Sequence, residues 1–227
     1  MPNQNPNQWR TKLRTAGDFN TFYSQSDPWG IANARFRDAA LYRCIAPYAR
    51  GRVLELGCGE GHLTQAIFAQ ARSVHGVDIS NLAIARAQAR GLPNATFEVA
   101  DFLEISFKGY DVVTAIECLY YLSPEEQRQI LGKIAAEHPG KLLIVTGPIV
   151  GRTSLRTYFT HEGLLSLFRE QGISVQSFHN LNLRRQGAAS TLADRLFARL
   201  PFGHLALWVL PQAMVNQRCY LAFTKSR

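Results

Sequence analysis

Three glycines at alternate positions follow a short apolar run and come directly before a helical pattern. The segment is VLELGCGEG, residues 53–61, and it contains Glu55, Gly57, Gly59 and Gly61. Because glycine has no Cβ, such a turn bends sharply and lets its backbone approach a ligand closely. The dinucleotide fingerprint G-x-G-x-x-G would need glycine at His62 or Thr64, and a phosphate-binding G-x-x-x-x-G-K-[ST] is absent. The turn therefore favours a nucleoside ligand that lacks phosphates.

Acidic side chains accompany the ends of four successive predicted strands. They are Glu55, Asp78 in HGVDIS, Asp101 in VADF and Glu117 in AIEC. The carboxyl ends of parallel strands meet at one edge, where open α/β sheets bind ligands. Asp78 can accept hydrogen bonds from ribose hydroxyls, and Asp101 from a purine amine while Phe102 packs nearby. Four carboxylates suit a cation, and S-adenosylmethionine carries a sulfonium and an ammonium against one carboxylate.

The elements that position these residues alternate between strands and helices, as in a parallel sheet with crossover helices. Seven strands are predicted, at 52–56, 73–77, 96–99, 111–116, 141–146, 173–178 and 218–224. Helices are predicted at 35–49, 62–71 and 81–90, and further ones begin at Ser123 and Thr160. Ser123 precedes Pro124 and has Glu126 three positions later, which is a capping box.

Composition indicates one ordinary globular domain: 227 residues, 46% hydrophobic and 19% charged, which excludes disordered and collagen-like chains. The four cysteines are scattered, so we expect reduced thiols and no metal site. The longest apolar run, 205–210, is far shorter than the roughly 20 residues of a membrane span, and no secretory signal is evident. We therefore expect a soluble, cytoplasmic protein. The net charge of +8 lies in the two flanks without forming a run, and nucleic acid is not expected as a partner.

These motifs resemble the class I S-adenosylmethionine-dependent methyltransferases, through ELGCGEG, GVDIS and the Ala100-Asp101 pair. The resemblance covers residues 50–150 in detail. A closer resemblance, to the nodulation-type N-methyltransferases that act on small amines, rests on Asp27-Pro28-Trp29 and on IECLYYL at 116–122. The aromatic-acidic segment that these proteins usually carry after the tryptophan is not evident in GIANARFRDAA. The Asn/Asp-Pro-Pro-aromatic motif of DNA-adenine and protein-glutamine methyltransferases is also absent.

The resemblance implies a Rossmann-like α/β fold, with a seven-stranded, mostly parallel sheet, an antiparallel last strand and helices on both faces. Residues 1–50 would form a lid and first helix, 51–150 the cofactor-binding core, and 151–227 the rest of the domain. It also implies a role for each cofactor-binding residue. The glycine backbone at 57, 59 and 61 would lie beside the methionine moiety, with Glu55 near its ammonium. Asp78 would hold the ribose, Ile79 and Phe102 would contact the adenine, and Asp101 would bind the adenine amine. Tyr23 and Trp29 would belong to the lid.

An amine acceptor must lose its proton before methyl transfer, because an ammonium has no lone pair. Glu117, Tyr120 and His161 are the candidate proton acceptors, and we favour Glu117 over His161. The acceptor is predicted to be a small molecule, such as an amino sugar or another secondary metabolite, methylated on nitrogen or oxygen. Two alternatives stay open: a non-catalytic scaffold that keeps the nucleoside site, and a lipid or quinone methyltransferase recruited to a membrane.

Residues 181–217 form a long insertion between the last two predicted strands. Leucines and Phe197 recur there at helical spacing, with Arg195 and Arg199 on the other side, before the apolar run 205–210. This pattern is compatible with a cap on the core, with a lid over the acceptor, with a dimer face or with a helix on an anionic membrane.

Overall fold

A computed structural model of the chain describes residues 13–33, 35–151, 156–183 and 215–226. These residues form one seven-stranded sheet with helices around it. The strands are β1 (Arg52–Leu56), β2 (Ser73–Asp78), β3 (Ala95–Val99), β4 (Val112–Ile116), β5 (Leu142–Pro148), β6 (Ile173–Leu183) and β7 (Val215–Thr224). The helices are α1 (Ala16–Phe22), α2 (Arg35–Ile45), α3 (His62–Ile67), α4 (Asn81–Ala89), α5 (Pro124–Glu137) and α6 (His161–Glu170).

The strand order is β3-β2-β1-β4-β5-β7-β6. Strands β1 to β5 pair in parallel, whereas β7 runs antiparallel to both β5 and β6. The chain builds outward from β1 through β2 to β3 and then returns to place β4 on the other side of β1. This reversal creates a crevice outside the carboxyl ends of β1 and β4, the point where open α/β sheets bind ligands.

The strand sequences explain why helices cover both faces of the sheet. In β5 the buried residues Leu143 and Val145 face one core, and Leu142 and Ile144 face the other. Successive side chains of a strand point to opposite faces, so a continuous apolar run needs a cover on each side. Helices α5 and α6 pack into the first core and α2 and α3 into the second. The fold class predicted from the sequence is confirmed.

Several predicted boundaries need correction. The helix after the glycine turn ends at Ile67 rather than at 71, because Phe68 leaves the helical conformation and is buried in the core. Helix α2 likewise ends at Ile45 rather than at 49. Strands β6 and β7 are longer than predicted, so residues 181–183 and 215–217 belong to these strands rather than to an insertion. The helical pattern predicted after 183 lies outside the described residues.

Within the described ranges, every helix is too short or too polar to span a lipid bilayer. The capping box predicted at Ser123 is present: its hydroxyl accepts from the Glu126 N–H, and the Glu126 side chain accepts from the Ser123 N–H. The helix predicted from Thr160 begins with the Thr160 side chain accepting from the Gly163 N–H. Local capping chemistry therefore fixes where α5 and α6 begin.

Candidate functional site

A cavity of about 390 Å³ opens at the carboxyl edge of the sheet, within the range of small-molecule sites. Its wall combines the ends of β1 to β5, the start of β7 and the segment around α1. Most of the site residues predicted from the sequence line it: Tyr23, Trp29, Gly57, Gly59, Asp78, Ile79, Asp101, Phe102, Glu117 and Tyr120. The fold therefore brings together residues that are nearly 100 positions apart in the chain.

The glycine turn has a backbone that other residues rarely adopt. The φ angles of Gly57, Gly59 and Gly61 are 66°, 55° and 73°. A Cβ on Gly59 would lie 2.8 Å from the Tyr23 hydroxyl, and one on Gly57 would lie 2.8 Å from the Cys118 Cβ. Gly61 does not line the cavity; it closes the turn against side chains of α4 and β3. The first two glycines thus allow close approach at the cavity, and the third allows packing behind it.

Asp78 ends β2 and its side chain is 7% exposed at the cavity wall. Its Oδ2 accepts from the Gly59 N–H at 2.9 Å and its Oδ1 from the Ser80 N–H at 2.9 Å. Burial raises the pKa of Asp78 above its usual value, and these backbone donors oppose that rise. Each carboxylate oxygen has a second lone pair, so the side chain ties β2 to the turn and can still accept from a ligand.

Next to Asp78, the cavity wall is formed by two apolar side chains and a second carboxylate, which follow β2 and β3. Ile79 and Phe102 give the cavity apolar contacts, and Asp101 follows β3 as an exposed carboxylate. The Asp101 Oδ1 accepts from the Leu103 N–H at 2.9 Å, which fixes the side chain at the start of the loop. An acidic acceptor beside an apolar face is the arrangement that a purine with an exocyclic amine requires.

Glu55 lies behind the turn, fully buried, and does not line the cavity. Its Oε2 accepts from the Thr64 hydroxyl at 2.6 Å, which joins β1 to α3. Burial raises the pKa of Glu55 to about 8, with a further rise from Asp78, while the bond from Thr64 opposes both. The carboxyl is therefore mostly protonated at neutral pH.

Residues 15–33 cover one side of the cavity, and we call them the lid segment. Helix α1 begins with a second capping box, formed by Thr15 and Asp18. The Tyr23 hydroxyl accepts from the Trp29 Nε1 at 3.0 Å, directly over the glycine turn. The Phe19 ring meets Tyr121 edge-on at 5.3 Å between centroids. Aromatic contacts of this kind hold the lid segment against the β4 end of the site.

A buried carboxylate attaches the lid segment to the turn. Glu60 is 5% exposed; it accepts from the Asp27 N–H at 2.9 and 3.1 Å and pairs with Arg86. Ligand atoms of Asp27, Glu60 and His62 lie within 4.8 Å of one another. The Asp27 oxygens, however, accept from the backbone N–H groups of residues 31 and 32. These carboxylates are therefore occupied by donors of the protein, and we assign the cluster a structural role.

Glu117 follows β4 at the opposite end of the cavity and has a left-handed backbone, with φ of 56°. A non-glycine residue in this region costs about 1–2 kcal/mol, so its surroundings must impose the conformation. Its Oε1 accepts from the Thr146 hydroxyl at 3.0 Å and its Oε2 from the Gln217 side-chain amide at 2.8 Å. The carboxylate is thereby held at the wall by groups from β5 and β7.

Three tyrosine rings surround the same end of the cavity. The Tyr120 ring lies 4.8 Å from the Tyr121 ring and 4.9 Å from the Tyr158 ring, measured between centroids. The Arg156 guanidinium lies over the Tyr121 ring at 4.5 Å. Burial, followed by the neighbouring Tyr121 and Glu117, raises the pKa of Tyr120 well above its usual value. The Tyr120 hydroxyl is therefore protonated at neutral pH and is a donor rather than a proton acceptor.

His161 lies away from the cavity at the start of α6. Its Nδ1 is 2.9 Å from the Tyr220 hydroxyl, and its ring meets Phe178 at 4.8 Å. Burial and the nearby Arg218 lower the pKa of His161. These contacts indicate a packing residue.

The sequence analysis missed other residues that line the cavity, notably Arg14, Tyr121 and Gln217. The Arg14 guanidinium pairs at 3.1 Å with Glu126, which also lines the cavity. Tyr121 belongs to the IECLYYL segment, so the resemblance placed it close to the site without giving it a role. Gln217 had no signal, because only the antiparallel pairing of β7 brings its first residues to this edge.

Comparison with known proteins identifies relatives of part of the chain. Residues 53–136 match a protein family described as a methyltransferase domain. Nodulation protein S of Azorhizobium caulinodans is 29% identical over 107 residues, which cover 44% of this chain and 52% of that protein. Trans-aconitate 2-methyltransferase of Deinococcus radiodurans is 36% identical over 105 residues, covering 45% of this chain and 39% of that protein. The chain thus spans about half the length, or less, of these curated relatives.

A solved structure extends the likeness beyond the matched segment. The N-methyltransferase NodS of Bradyrhizobium japonicum WM9, determined with S-adenosyl-L-homocysteine, has a TM-score of 0.66 with 16% identity, covering 92% of this chain and 98% of that one. The chain therefore has the class I S-adenosylmethionine-dependent methyltransferase fold. Its residues 53–136, from the glycine turn to α5, match a methyltransferase domain family, and part of the chain is similar in sequence to nodulation protein S.

Proposed function

We propose that the chain binds S-adenosylmethionine and catalyses transfer of its methyl group to a small-molecule acceptor. The observation that carries this proposal is the cavity itself. A glycine turn and two carboxylates, Asp78 and Asp101, line one end of it, and Glu117 with a tyrosine wall lines the other. One end thus suits a nucleoside and the other a polar acceptor, with the turn between them.

The residues present fit S-adenosylmethionine. The turn lines the cavity and packs closely against the protein at the same time, because a Cβ on Gly57 or Gly59 would meet Cys118 or Tyr23 at 2.8 Å. The Asp78 carboxylate is buried yet faces the cavity, where ribose hydroxyls can donate to it. Ile79 and Phe102 provide an apolar slot, and Asp101 provides an acceptor for the adenine amine. When bound, this cofactor supplies an activated methyl group on a positively charged sulfur.

Methyl transfer asks the protein mainly for position and for exclusion of water, and the residues of this site serve both needs. The bond from Gly59 to Asp78 fixes the turn relative to β2, so a ribose held by Asp78 stands at a defined distance from the backbone. Tyr23 and Trp29, joined to each other, cover the turn and shield it from solvent. Orientation of two reactants is worth up to roughly 7–11 kcal/mol in favourable systems.

Glu117 is the group that we propose to receive or orient the acceptor's proton. It lies at the cavity wall, where its two oxygens accept from Thr146 and Gln217, and each oxygen of a carboxylate has two lone pairs. Tyr120, kept protonated by burial, lines the same end of the cavity and hydrogen-bonds to the Tyr121 side chain. His161 takes no part in this proposal because it lies outside the cavity.

We propose an acceptor methylated on nitrogen or oxygen, such as an amino sugar or another secondary metabolite. Two observations support a small polar acceptor: the cavity volume of about 390 Å³, and the pairing of a carboxylate with aromatic rings at its far end. The relatives' names include both an N-methyltransferase and a methyltransferase of trans-aconitate, a carboxylic acid. The rings around Glu117 favour the nitrogen case, because aromatic faces attract cations.

Calorimetric titration with S-adenosyl-L-homocysteine tests cofactor binding. We expect a dissociation constant in the micromolar range and at least a tenfold weakening in Asp78→Ala. Asp111→Ala is the matched control, because Asp111 precedes β4 at the opposite edge of the sheet and bonds to Arg52. Absence of heat from the wild-type protein with either adenosyl ligand would refute the proposal.

Transfer is tested separately with S-adenosylmethionine labelled in its methyl group. The acceptor panel comprises glucosamine, deacetylated chitotetraose, phosphoethanolamine, catechol and trans-aconitate. We expect label on at least one amine and at least tenfold less in Glu117→Gln. The protein could bind S-adenosyl-L-homocysteine and still transfer no label to any member of the panel. If a wider screen of amines and carboxylic acids also gave no labelled product, the result would favour the alternative of a non-catalytic scaffold.

A further inference from the structure

A chain of hydrogen bonds connects the acceptor end of the cavity to the outer hairpin of the sheet. The Asn182 side-chain amide on β6 donates to the Gln217 Oε1 on β7. The Gln217 Nε2 donates to the Glu117 Oε2 at 2.8 Å, and Thr146 donates to the other oxygen at 3.0 Å. No motif of the sequence identifies Asn182, Thr146 or Gln217.

The direction of these bonds determines what Gln217 can do. An amide nitrogen only donates, so the bond to Glu117 is best made when that carboxylate is ionised. The Gln217 oxygen is already engaged by Asn182, so the amide cannot rotate to present its oxygen to Glu117 without losing that bond. Thr146 contributes a second link, because its hydroxyl also accepts from the Glu117 N–H at 3.2 Å. The network thus constrains both the backbone and the carboxylate of Glu117.

Four titratable groups that interact with this carboxylate are uncharged near neutral pH. Burial raises the pKa of each of them: Cys118, Tyr120, Tyr158 and Cys219. The Arg156 guanidinium lies over the neighbouring Tyr121 ring at 4.5 Å. Donated hydrogen bonds therefore matter more to Glu117 than they would on an exposed surface, where water supplies them.

We propose that Gln217 is a positioning residue for the acceptor site: with Thr146 it keeps Glu117 ionised and directed into the cavity, and Asn182 fixes Gln217 in turn. This inference rests on the proposed function. It gives β6 and β7 a role beyond completing the sheet, because Asn182 and Gln217 stand near the facing ends of these strands, Leu183 and Val215.

Carbon-13 NMR of carboxyl-labelled glutamate tests the bonds without any acceptor. The Glu117 resonance is identified by its loss in Glu117→Gln, and its titration is followed with pH. Gln217→Met preserves the shape of the side chain and removes the donor, and we expect the midpoint to rise by about one pH unit, a tenfold change in proton affinity. Thr146→Val should move it in the same direction. Asn182→Ala should give a smaller rise, because it leaves the donor in place and loosens it.

Gln171→Met is the matched control, since Gln171 follows α6, lies against Gly132 on α5 and, unlike Glu117, does not line the cavity. It should leave the Glu117 midpoint unchanged. An unchanged midpoint in both Gln217→Met and Asn182→Ala would overturn the proposal. Should Gln217→Met unfold, Asn182→Ala and Gln217→Glu carry the test, the latter with a larger rise because it adds a like charge.

A kinetic readout separates positioning from general loss of structure. On an acceptor found in the methyl-transfer panel, Gln217→Met should raise the KM for the acceptor or lower kcat at least fivefold, with a shifted pH profile. The KM for S-adenosylmethionine and the affinity for S-adenosyl-L-homocysteine should stay within twofold of wild type. Equal losses in both KM values would contradict a positioning role. Failure of the wild-type protein to bind the adenosyl ligand would instead contradict the proposed function and leave the NMR result standing.

Discussion

Replacing Glu55 with glutamine should stabilise the protein relative to wild type, measured without ligand, and the difference in the free energy of unfolding should grow as pH rises. Glu55 is buried behind the glycine turn, where its pKa is raised from 4.5 to about 8. A carboxyl whose pKa is higher in the folded state binds its proton more tightly there than in the unfolded chain. Its contribution to stability is therefore fully present below pH 4.5 and is lost as pH rises toward 8. Glutamine keeps the shape and the hydrogen-bond acceptor, and it does not titrate.

The size of the effect follows from the difference in pKa. One pKa unit corresponds to about 1.36 kcal/mol, so the loss amounts to about 3 kcal/mol at pH 7 and about 5 kcal/mol at pH 9. The stability of Glu55→Gln relative to wild type should therefore increase by about 4 kcal/mol between pH 5 and pH 9. Asp78, whose pKa burial also raises, is present in both proteins and cancels from the comparison.

Urea unfolding at pH 5, 6, 7, 8 and 9, without ligand, provides the measurement. Thr64→Val serves as the control, because it removes the bond to Glu55 and keeps the carboxyl. A stability difference between Glu55→Gln and wild type that stays constant across this range would refute the argument from burial. Glu55→Gln should also bind S-adenosyl-L-homocysteine about tenfold more weakly than wild type if Glu55 interacts with the ammonium of that ligand, as the resemblance implies.

Three further predictions concern the turn, the lid segment and the thiols. Gly59→Ala should lower the free energy of unfolding by about 2–3 kcal/mol, because the φ of Gly59 is 55° and an added Cβ would meet the Tyr23 hydroxyl at 2.8 Å. Gly91→Ala is the control: Gly91 has a φ of 61° but open space around it, so the same urea titration should show a loss of only about 1 kcal/mol. Glu60→Gln removes the charge that ties the lid segment to the turn, so limited proteolysis should cut residues 13–33 at least fivefold faster; equal rates would contradict that attachment. Burial raises the pKa of Cys58 and Cys118 well above normal, so at pH 8 an aromatic disulfide reagent should react with both roughly 100-fold more slowly in the native than in the urea-unfolded protein, as followed by peptide mapping.

The central strands and the turn were predictable because their signals are local. Strand β1 was predicted with its observed bounds, because its apolar run is followed directly by the glycine turn, which ends the strand. The start of α5 followed from the capping box at Ser123. Helix α1 was not predicted, although Thr15 and Asp18 form a capping box of the same kind, because the seven-residue helix has no fully buried residue and so shows no apolar periodicity.

The acceptor end of the site was the least predictable part. Residues that follow strand ends, such as Asp78 and Glu117, could be identified because parallel strands share one edge. Gln217 comes from a strand that enters the sheet from the opposite direction, so its position depends on pairing that no short motif encodes. His161 was a candidate proton acceptor by residue type alone, yet the fold places it against Tyr220. Residue type does not indicate whether the start of a helix lies at the cavity or away from it.

The pairing of β7 between β5 and β6 also has a consequence for the order of assembly on the ribosome. Residues 215–224 are synthesised after both of their partner strands, so β5 has a bare edge and β6 has no place in the sheet until β7 emerges. A nascent chain paused before residue 215 would display rows of unpaired backbone groups, which are sites for intermolecular strand association. Chaperones that bind extended apolar segments should therefore retain such a stalled chain and release it once β7 has closed the gap.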